Sequence, residues 1–203
     1  MKKLAIIFVV LLLPISSFAQ YQSPDQVEKA PAKQATSYPL YIGFGSGINH
    51  YTGLIGLSAE GRIGGNFAIL GDLGIGSFFK ASAGLRYYQH YSNGLFYGLG
   101  VSFSPGADSI NVKLETTRTT GSSEKVALKF HNMETLNLSL GYAWKLGKRA
   151  RFDLEVGYAV LLTKNPYEVL TPGVELSNTS KLAMNWTVPG GFLLGIGFSF
   201  GLK

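Results

Sequence analysis

The chain has 203 residues, no cysteine and a formal net charge of +6. The absence of cysteine excludes disulfide bonds, thiolate catalysis and cysteine-ligated metal sites. The positive charge is small and dispersed without a basic tract, so it does not indicate a nucleic-acid partner. The combination of 26 glycines with 13% aromatic residues is unusual for one soluble domain of this length.

The N-terminus predicts export from the cytoplasm. Two lysines precede the apolar run Leu4–Leu13, and the letters SFA at 17–19 have the small-x-small form of a cleavage site. A membrane-spanning helix would need about 20 apolar residues, so residues 1–19 are predicted to be a signal peptide. Residues 20–36 lack apolar periodicity and are predicted to form a flexible periplasmic segment.

From residue 38 onward, large apolar residues recur at every second position. The pattern is clearest in LNLSLGYAWKL (136–146), FDLEVGYAVLL (152–162) and FLLGIGFSFGL (192–202). The opposite face carries mostly glycine, alanine, serine and charged residues. A soluble sandwich would place solubilising charge outside an apolar core, whereas a membrane barrel reverses this order around a narrow lumen.

Such segments predict eight strands, and most match the roughly 9 to 11 residues of a tilted spanning strand. The fold class expected is therefore all-β, an eight-stranded antiparallel up-and-down transmembrane β-barrel over residues 37–203. An even strand number puts both termini on one side, predicted to be periplasmic, with short turns there and the long connections 104–125 and 163–191 outside. The predicted strands are 40–48, 55–63, 67–77, 81–91, 95–103, 126–146, 152–162 and 192–202.

Because side chains alternate between the two faces of a strand, seven charged side chains are predicted to point into the lumen. The turn lengths predict that Lys145 lies opposite Asp153 and that Asp72 lies opposite Arg86, as cross-strand ion pairs. An eight-stranded lumen is only wide enough for its own side chains, and an unpaired charge there costs several kcal/mol. We therefore interpret these residues as a plug of ion pairs rather than an ion path: Glu60, Arg62, Asp72, Arg86, Lys145, Asp153 and Glu155.

The stretch His90-Tyr91-Ser92-Asn93-Gly94 resembles the local signature of outer-membrane lipid A deacylases, which are small barrels. It departs from that family because it lies at a predicted periplasmic turn and no acidic residue follows to orient the histidine. The alternation of inward and outward residues instead favours a three-residue turn over 92–94, with a positive φ at Gly94. In this turn His90 lies opposite Phe96, and Arg86 lies opposite Gly100. We predict no catalytic residue, metal or cofactor; a lipid A-modifying enzyme is the alternative.

The other two histidines do not suggest a metal site. His50 and His131 fall in or near predicted outer loops and are far apart in sequence. Both are predicted to be solvated.

The region from Tyr38 to Lys203 resembles the small outer-membrane barrels of the OmpX, Opa and OmpA-transmembrane type. The likeness rests on eight strands, lumen charges and long outer loops. Many such barrels end in an aromatic residue, whereas this chain ends in GFSFGLK, so Phe200 would take the role of the terminal aromatic residue. The resemblance implies a non-enzymatic monomer in a Gram-negative outer membrane, in contact with outer-membrane lipid. It also implies loops that serve surface interaction or envelope integrity.

Residues 109–130 are predicted to form a hairpin above the membrane, because apolar residues alternate on both sides of the polar tip TTRTTGSSE. Its edge offers a site for a partner strand, and a passive loop is an equally open interpretation.

Outward aromatic residues are expected to form girdles at both ends of the barrel. An exported soluble lipid-binding barrel is an alternative, but it would bury apolar residues inside. A transport barrel of the OmpW type would need an apolar lumen or a lateral opening. The inner girdle comprises Phe67, Tyr91, Trp144 and Phe152, and the outer one Tyr51, Phe78 or Phe79, and Phe103.

Overall fold

The computed structural model describes residues 38–90, 93–118 and 122–202. The predicted signal peptide and the segment 20–36 lie outside these residues, so both stay predictions.

Within the described residues, eight strands close into an antiparallel barrel, as predicted. Going round the barrel, the strand order is β1-β11-β9-β8-β5-β4-β3-β2. These strands are β1 Leu40–Ile48, β2 Ile55–Gly64, β3 Phe67–Ile75, β4 Phe79–His90, β5 Asn93–Ser104, β8 Met133–Leu146, β9 Ala150–Leu161 and β11 Gly191–Leu202.

The barrel has its large apolar side chains on the outside. Strand β3 shows the alternation directly, because Phe67, Ile69 and Leu73 are exposed while Asp72 is buried with its neighbours on the lumen face. The same alternation recurs along the other barrel strands and produces an apolar outer band. This is the inverse of a soluble barrel and matches a lipid-facing exterior.

The two ends of the barrel differ in their connections. At the end that carries residues 38 and 202, successive barrel strands are separated by only two or three residues: β2 from β3, β4 from β5, and β8 from β9. At the opposite end, two long connections hold the strands β6 Ala107–Leu114, β7 Glu124–Phe130 and β10 Tyr167–Val169, and the helix α1 Asn178–Thr187. We call these four elements the outer cap.

The outer cap contains a separate sheet with its own apolar core. Its strand order is β10-β7-β6, which includes the predicted hairpin of β6 and β7. Helix α1, which the sequence analysis did not predict, begins after Ser177, whose hydroxyl accepts a hydrogen bond from the Ser180 amide. The buried core residues are Val126, Leu128, Phe130, Leu176 and Met184.

No helix among the described residues has the length and apolar character to cross a membrane.

Most strand bounds differ from their predictions by one or two residues, and the largest error concerns the segment 126–146. The segment 126–146 is two strands, because the chain leaves the cap sheet after Phe130 and enters the barrel at Met133. Between them, the Asn132 side-chain oxygen accepts a hydrogen bond from the Gly106 amide, 3.0 Å away, and so joins the two ends of the connection between β5 and β8.

The cross-strand partners predicted for the lumen charges were also wrong, although the faces were right. Asp72 lies opposite Ser82, because the β3–β4 connection is 76–78 rather than 78–80. Asp153 lies opposite Ala143 because the β8–β9 turn has three residues rather than five. Both shifts are even in number, and an even shift keeps each side chain on its original face.

The hairpin between β4 and β5 also differs from its prediction, by an even shift at Arg86 and by an odd shift at His90, where the register is irregular. His90 pairs with Asn93 next to a bulge after Tyr88, and Arg86 pairs with Gly98 rather than Gly100. Gly94 has the expected positive φ, 82°, but lies within β5. Residues 91 and 92 lie outside the described part of the chain.

Candidate functional site: the barrel lumen

The connection between β1 and β2 folds into the lumen instead of standing above the barrel. We call residues 49–54 the lumen loop. Within it His50, Tyr51 and Thr52 are 3%, 1% and 0% exposed. The prediction of a solvated His50 and of an outward Tyr51 in the outer girdle was therefore wrong, because period-two counting cannot detect a loop that turns inward.

Strand β4 holds the backbone of the lumen loop from across the barrel. The Lys80 ammonium donates hydrogen bonds to the carbonyls of Asn49 and His50, at 3.2 and 2.9 Å. The Ser82 hydroxyl donates to the Tyr51 carbonyl at 2.8 Å. Lys80, predicted to lie in the outer loop, thus contributes a buried cation that orients carbonyl groups.

Glycines on neighbouring strands make room for this loop. A Cβ at Gly74 would overlap the Thr52 carbonyl, and a Cβ at Gly195 would overlap the His50 ring. At Gly100 it would lie 2.7 Å from the Tyr51 ring. At these three positions glycine therefore has a local cause, which is close approach of the lumen loop to the strands.

One group of buried charges surrounds Glu60 on β2. The Arg151 guanidinium makes two bonds to its carboxylate, at 2.8 and 2.9 Å. Arg86 and the Tyr88 hydroxyl also donate to it, at 3.1 and 2.7 Å, and Arg62 lies 3.5 Å away. A carboxylate with this many donors is the bidentate, charge-assisted arrangement that offsets the desolvation of a buried ion pair.

A second group centres on Glu155 of β9, which is fully buried. Arg86 donates to this carboxylate at 2.6 Å and thereby bridges the two groups. The His50 ring contacts the same carboxylate at 3.2 Å through Nε2 and the Thr52 hydroxyl at 2.8 Å through Nδ1. The lumen loop is therefore bonded directly to the charge network.

The seven residues predicted for the lumen occupy unequal positions. The buried side chains are those of Glu60, Arg62, Asp72, Arg86, Asp153 and Glu155. Lys145 is only partly buried and lies opposite Arg151. Arg151, predicted to lie in a turn, was not among the predicted lumen residues, although its position two and four residues before Asp153 and Glu155 places it on the same strand face.

Aromatic rings fill the space between the guanidinium groups. Arg62 lies 4.1 Å from the Tyr88 ring centroid, and Arg151 lies 4.4 Å from that of Tyr41. The cavity left inside this network has a volume of about 20 Å³.

The described residues contain no group of three His, Asp or Glu side chains placed to hold a metal ion. His90 is exposed at the end of the barrel with the short turns. Tyr91 and Ser92, which follow it in the sequence, lie outside the residues that the structure describes.

The chain matches no protein-family model and no curated protein. Its fold is a closed eight-stranded β-barrel. Among solved structures, the crystal structure of Acinetobacter baumannii CarO aligns with a TM-score of 0.47 and 13% sequence identity, covering 84% of this chain and 100% of that chain. We draw no functional conclusion from so distant a likeness.

Proposed function

We propose that the protein is an integral outer-membrane β-barrel of non-enzymatic type, with a plugged lumen and a cap that serves surface interaction or envelope integrity. The observation that carries this proposal is the reversed polarity of the barrel, which has an apolar exterior around charged, hydrogen-bonded contents. Such an exterior is stable only in an apolar surrounding.

The alternative of an exported soluble lipid-binding barrel is disfavoured by the lumen. A soluble carrier would need an apolar cavity of several hundred Å³ for its ligand. The lumen cavity of about 20 Å³ is instead bordered by Glu60, Asp72, Arg86 and Arg151.

Closure of the lumen is supported by the contacts of the lumen loop. Tyr51 fills the space beside Gly98 and Gly100, while His50 reaches Glu155. A solute crossing the barrel would have to displace these side chains and leave buried charges without partners, at a cost of several kcal/mol per ion. We infer that the barrel is structural and does not conduct.

The non-enzymatic part of the proposal rests on the position of His90. A lipid A-modifying enzyme needs its catalytic groups at the outer leaflet, whereas His90 lies at the end opposite the outer cap. The outer cap, which includes parts of the connections 104–125 and 163–191, is then the part available to a surface ligand.

Heat modifiability tests membrane insertion. The membrane-extracted full chain, run in SDS with and without boiling, should show two mobilities, since a folded barrel resists SDS until it is heated. A single unfolded mobility, together with protein in the soluble periplasmic fraction, would refute the membrane proposal.

Planar-bilayer recording tests the plug. The native protein should give no steady conductance, while the double variant His50→Gly and Tyr51→Gly should give open events because it removes the two largest buried side chains of the lumen loop. Leu54→Gly, in the same loop but exposed, is the matched control and should stay closed. Steady conductance in the native protein would contradict the plug.

A further inference from the structure

An apolar groove lies at the outer rim of the barrel, beside the lumen loop and separate from the charge groups of Glu60 and Glu155. It has a volume of about 650 Å³, within the range of about 300 to 1,000 Å³ that is usual for small-molecule sites. It lies between the outer ends of β1 and β11 and the C-terminal end of α1. We call it the rim groove; its apolar lining includes Ile48, Leu54, Phe78, Trp186, Val188 and Phe192.

Helix α1 leaves an apolar face unpartnered beside this groove. Met184 and Ser180 are buried against the rest of the outer cap. Leu182 and Trp186, one helical turn apart, are 60% and 79% exposed. Residues four positions apart share a helix face, so α1 carries an apolar stripe that the described residues do not cover.

The rim groove is continuous with the apolar outer band of the barrel. Phe192 is the first outward residue of β11 and lies opposite Tyr158, which is also exposed. Ile48 lies opposite Leu194 at the outer end of β1. The groove therefore opens where the lipid-facing surface ends, at the level at which tryptophan and tyrosine favour a membrane interface.

The polar groups of the groove do not suit a charged ligand. Lys80, its cationic lining residue, is buried and already donates to two backbone carbonyls. An apolar chain needs no such partner, whereas a charged group would be left without one.

We propose that the rim groove holds an acyl chain of an outer-leaflet lipid, with Leu182 and Trp186 inserted in the leaflet beside it. This rests on the proposed membrane location. Helix α1 is then an interfacial anchor that fixes the outer cap to the membrane surface, rather than a part of the cap exposed to water.

The sequence contains two tryptophans, which permits a direct test. Trp144 lies on the outer band and packs against Tyr142 and Phe152. Trp144→Phe leaves Trp186 as the only tryptophan, and Trp186→Phe leaves Trp144 as a reference within the membrane. Each full-length variant is reconstituted in phospholipid vesicles with bromine on the upper part of the acyl chains, and quenching is compared with that by acrylamide in the water.

We expect the brominated lipid to quench Trp186 at least as strongly as Trp144, and acrylamide to quench both weakly. Trp186 quenched by acrylamide but not by brominated lipid, with Trp144 quenched by the lipid, would overturn the inference and leave the membrane location intact. Protection of Trp186 from both quenchers would also overturn it, since a protein surface would then cover the groove. Failure of the lipid to quench Trp144 would instead refute the membrane location.

A second pair of variants tests the groove itself in the Trp144→Phe background. Leu54→Ser places a hydroxyl in the groove and should reduce quenching of Trp186 by the brominated lipid. Leu170→Ser alters an exposed leucine outside the groove lining and should not. Equal quenching in both variants, each shown by heat modifiability to be folded, would refute acyl-chain occupancy of the groove.

Discussion

The barrel and the outer cap follow opposite rules within one chain. In the cap, Leu128 and Met184 are buried in an apolar core, and the exposed ion pair of Lys129 and Asp108 lies outside it. In the barrel, leucines and phenylalanines face outward while Glu60 and Glu155 are buried. With the barrel in a membrane, as proposed, the contrast teaches that burial of apolar residues is a response to the local solvent, which is water around the cap and lipid around the barrel.

The largest effect on folding is expected when the two faces of one barrel strand are compared by substitution. Gly141 faces the lumen, where a Cβ would overlap the Phe96 ring, and the neighbouring Leu140 faces outward. Gly141→Trp should prevent formation of the SDS-resistant form, whereas Leu140→Trp should still form it. Equal loss of the heat-dependent mobility shift in both variants would contradict the face assignment.

The next effect concerns the lumen charges. Glu60→Ala leaves Arg151 and Arg86 without their shared carboxylate, so we expect the free energy of unfolding in urea to fall by about 3 to 5 kcal/mol. The isosteric variant Glu60→Gln keeps the shape of the side chain but removes its charge. Its free energy of unfolding should be only slightly higher than that of Glu60→Ala. A change under about 1 kcal/mol for Glu60→Ala would mean that the network does not stabilise the barrel.

A cavity in the cap should destabilise only the cap. Leu128→Ala removes a fully buried side chain, for which a local loss of about 2 to 5 kcal/mol is typical. Protease should then cut the β6–β7 hairpin at a lower urea concentration while the mobility shift of the barrel persists. Simultaneous loss of both signals would show that the two regions unfold as one unit.

The smallest effect is expected for the exposed ion pair of the cap. Lys129→Ala removes the partner of Asp108, 3.4 Å away at the surface. Because solvent screens this pair, urea unfolding should change by less than about 1 kcal/mol. A loss comparable to that of Glu60→Ala would remove the energetic distinction between cap and lumen.

Much of the barrel was predictable from sequence because its pattern has a period of two. The bounds of β1 were predicted as observed, and the faces of Asp72, Arg86 and Asp153 were correct. Cross-strand partners were not predictable, since turn lengths differing by two residues satisfy the same alternation. The alternation along a strand determines which face a side chain occupies, but not which residue of the next strand lies opposite it.

The contents of the lumen were harder to predict than its wall. Nothing in the spacing of Asn49 to Leu54 distinguishes a loop that stands in water from one that turns inward. The glycines at 74, 100 and 195 carried the relevant information, but only the three-dimensional arrangement brings them next to the lumen loop. Arg151 was missed because β9 begins one residue before it, within the predicted turn.

The lumen loop has a consequence for the order of assembly. It belongs to the first hairpin of the barrel, yet His50 bonds to Glu155, 105 residues later, and Asn49 bonds to the Gly190 carbonyl, 141 residues later. Contacts so distant in sequence are slow to form, because the intervening chain must first be ordered. The loop can complete these contacts only when β9 and the residues preceding β11 are in place, so we expect the lumen to be filled late in the assembly of the barrel.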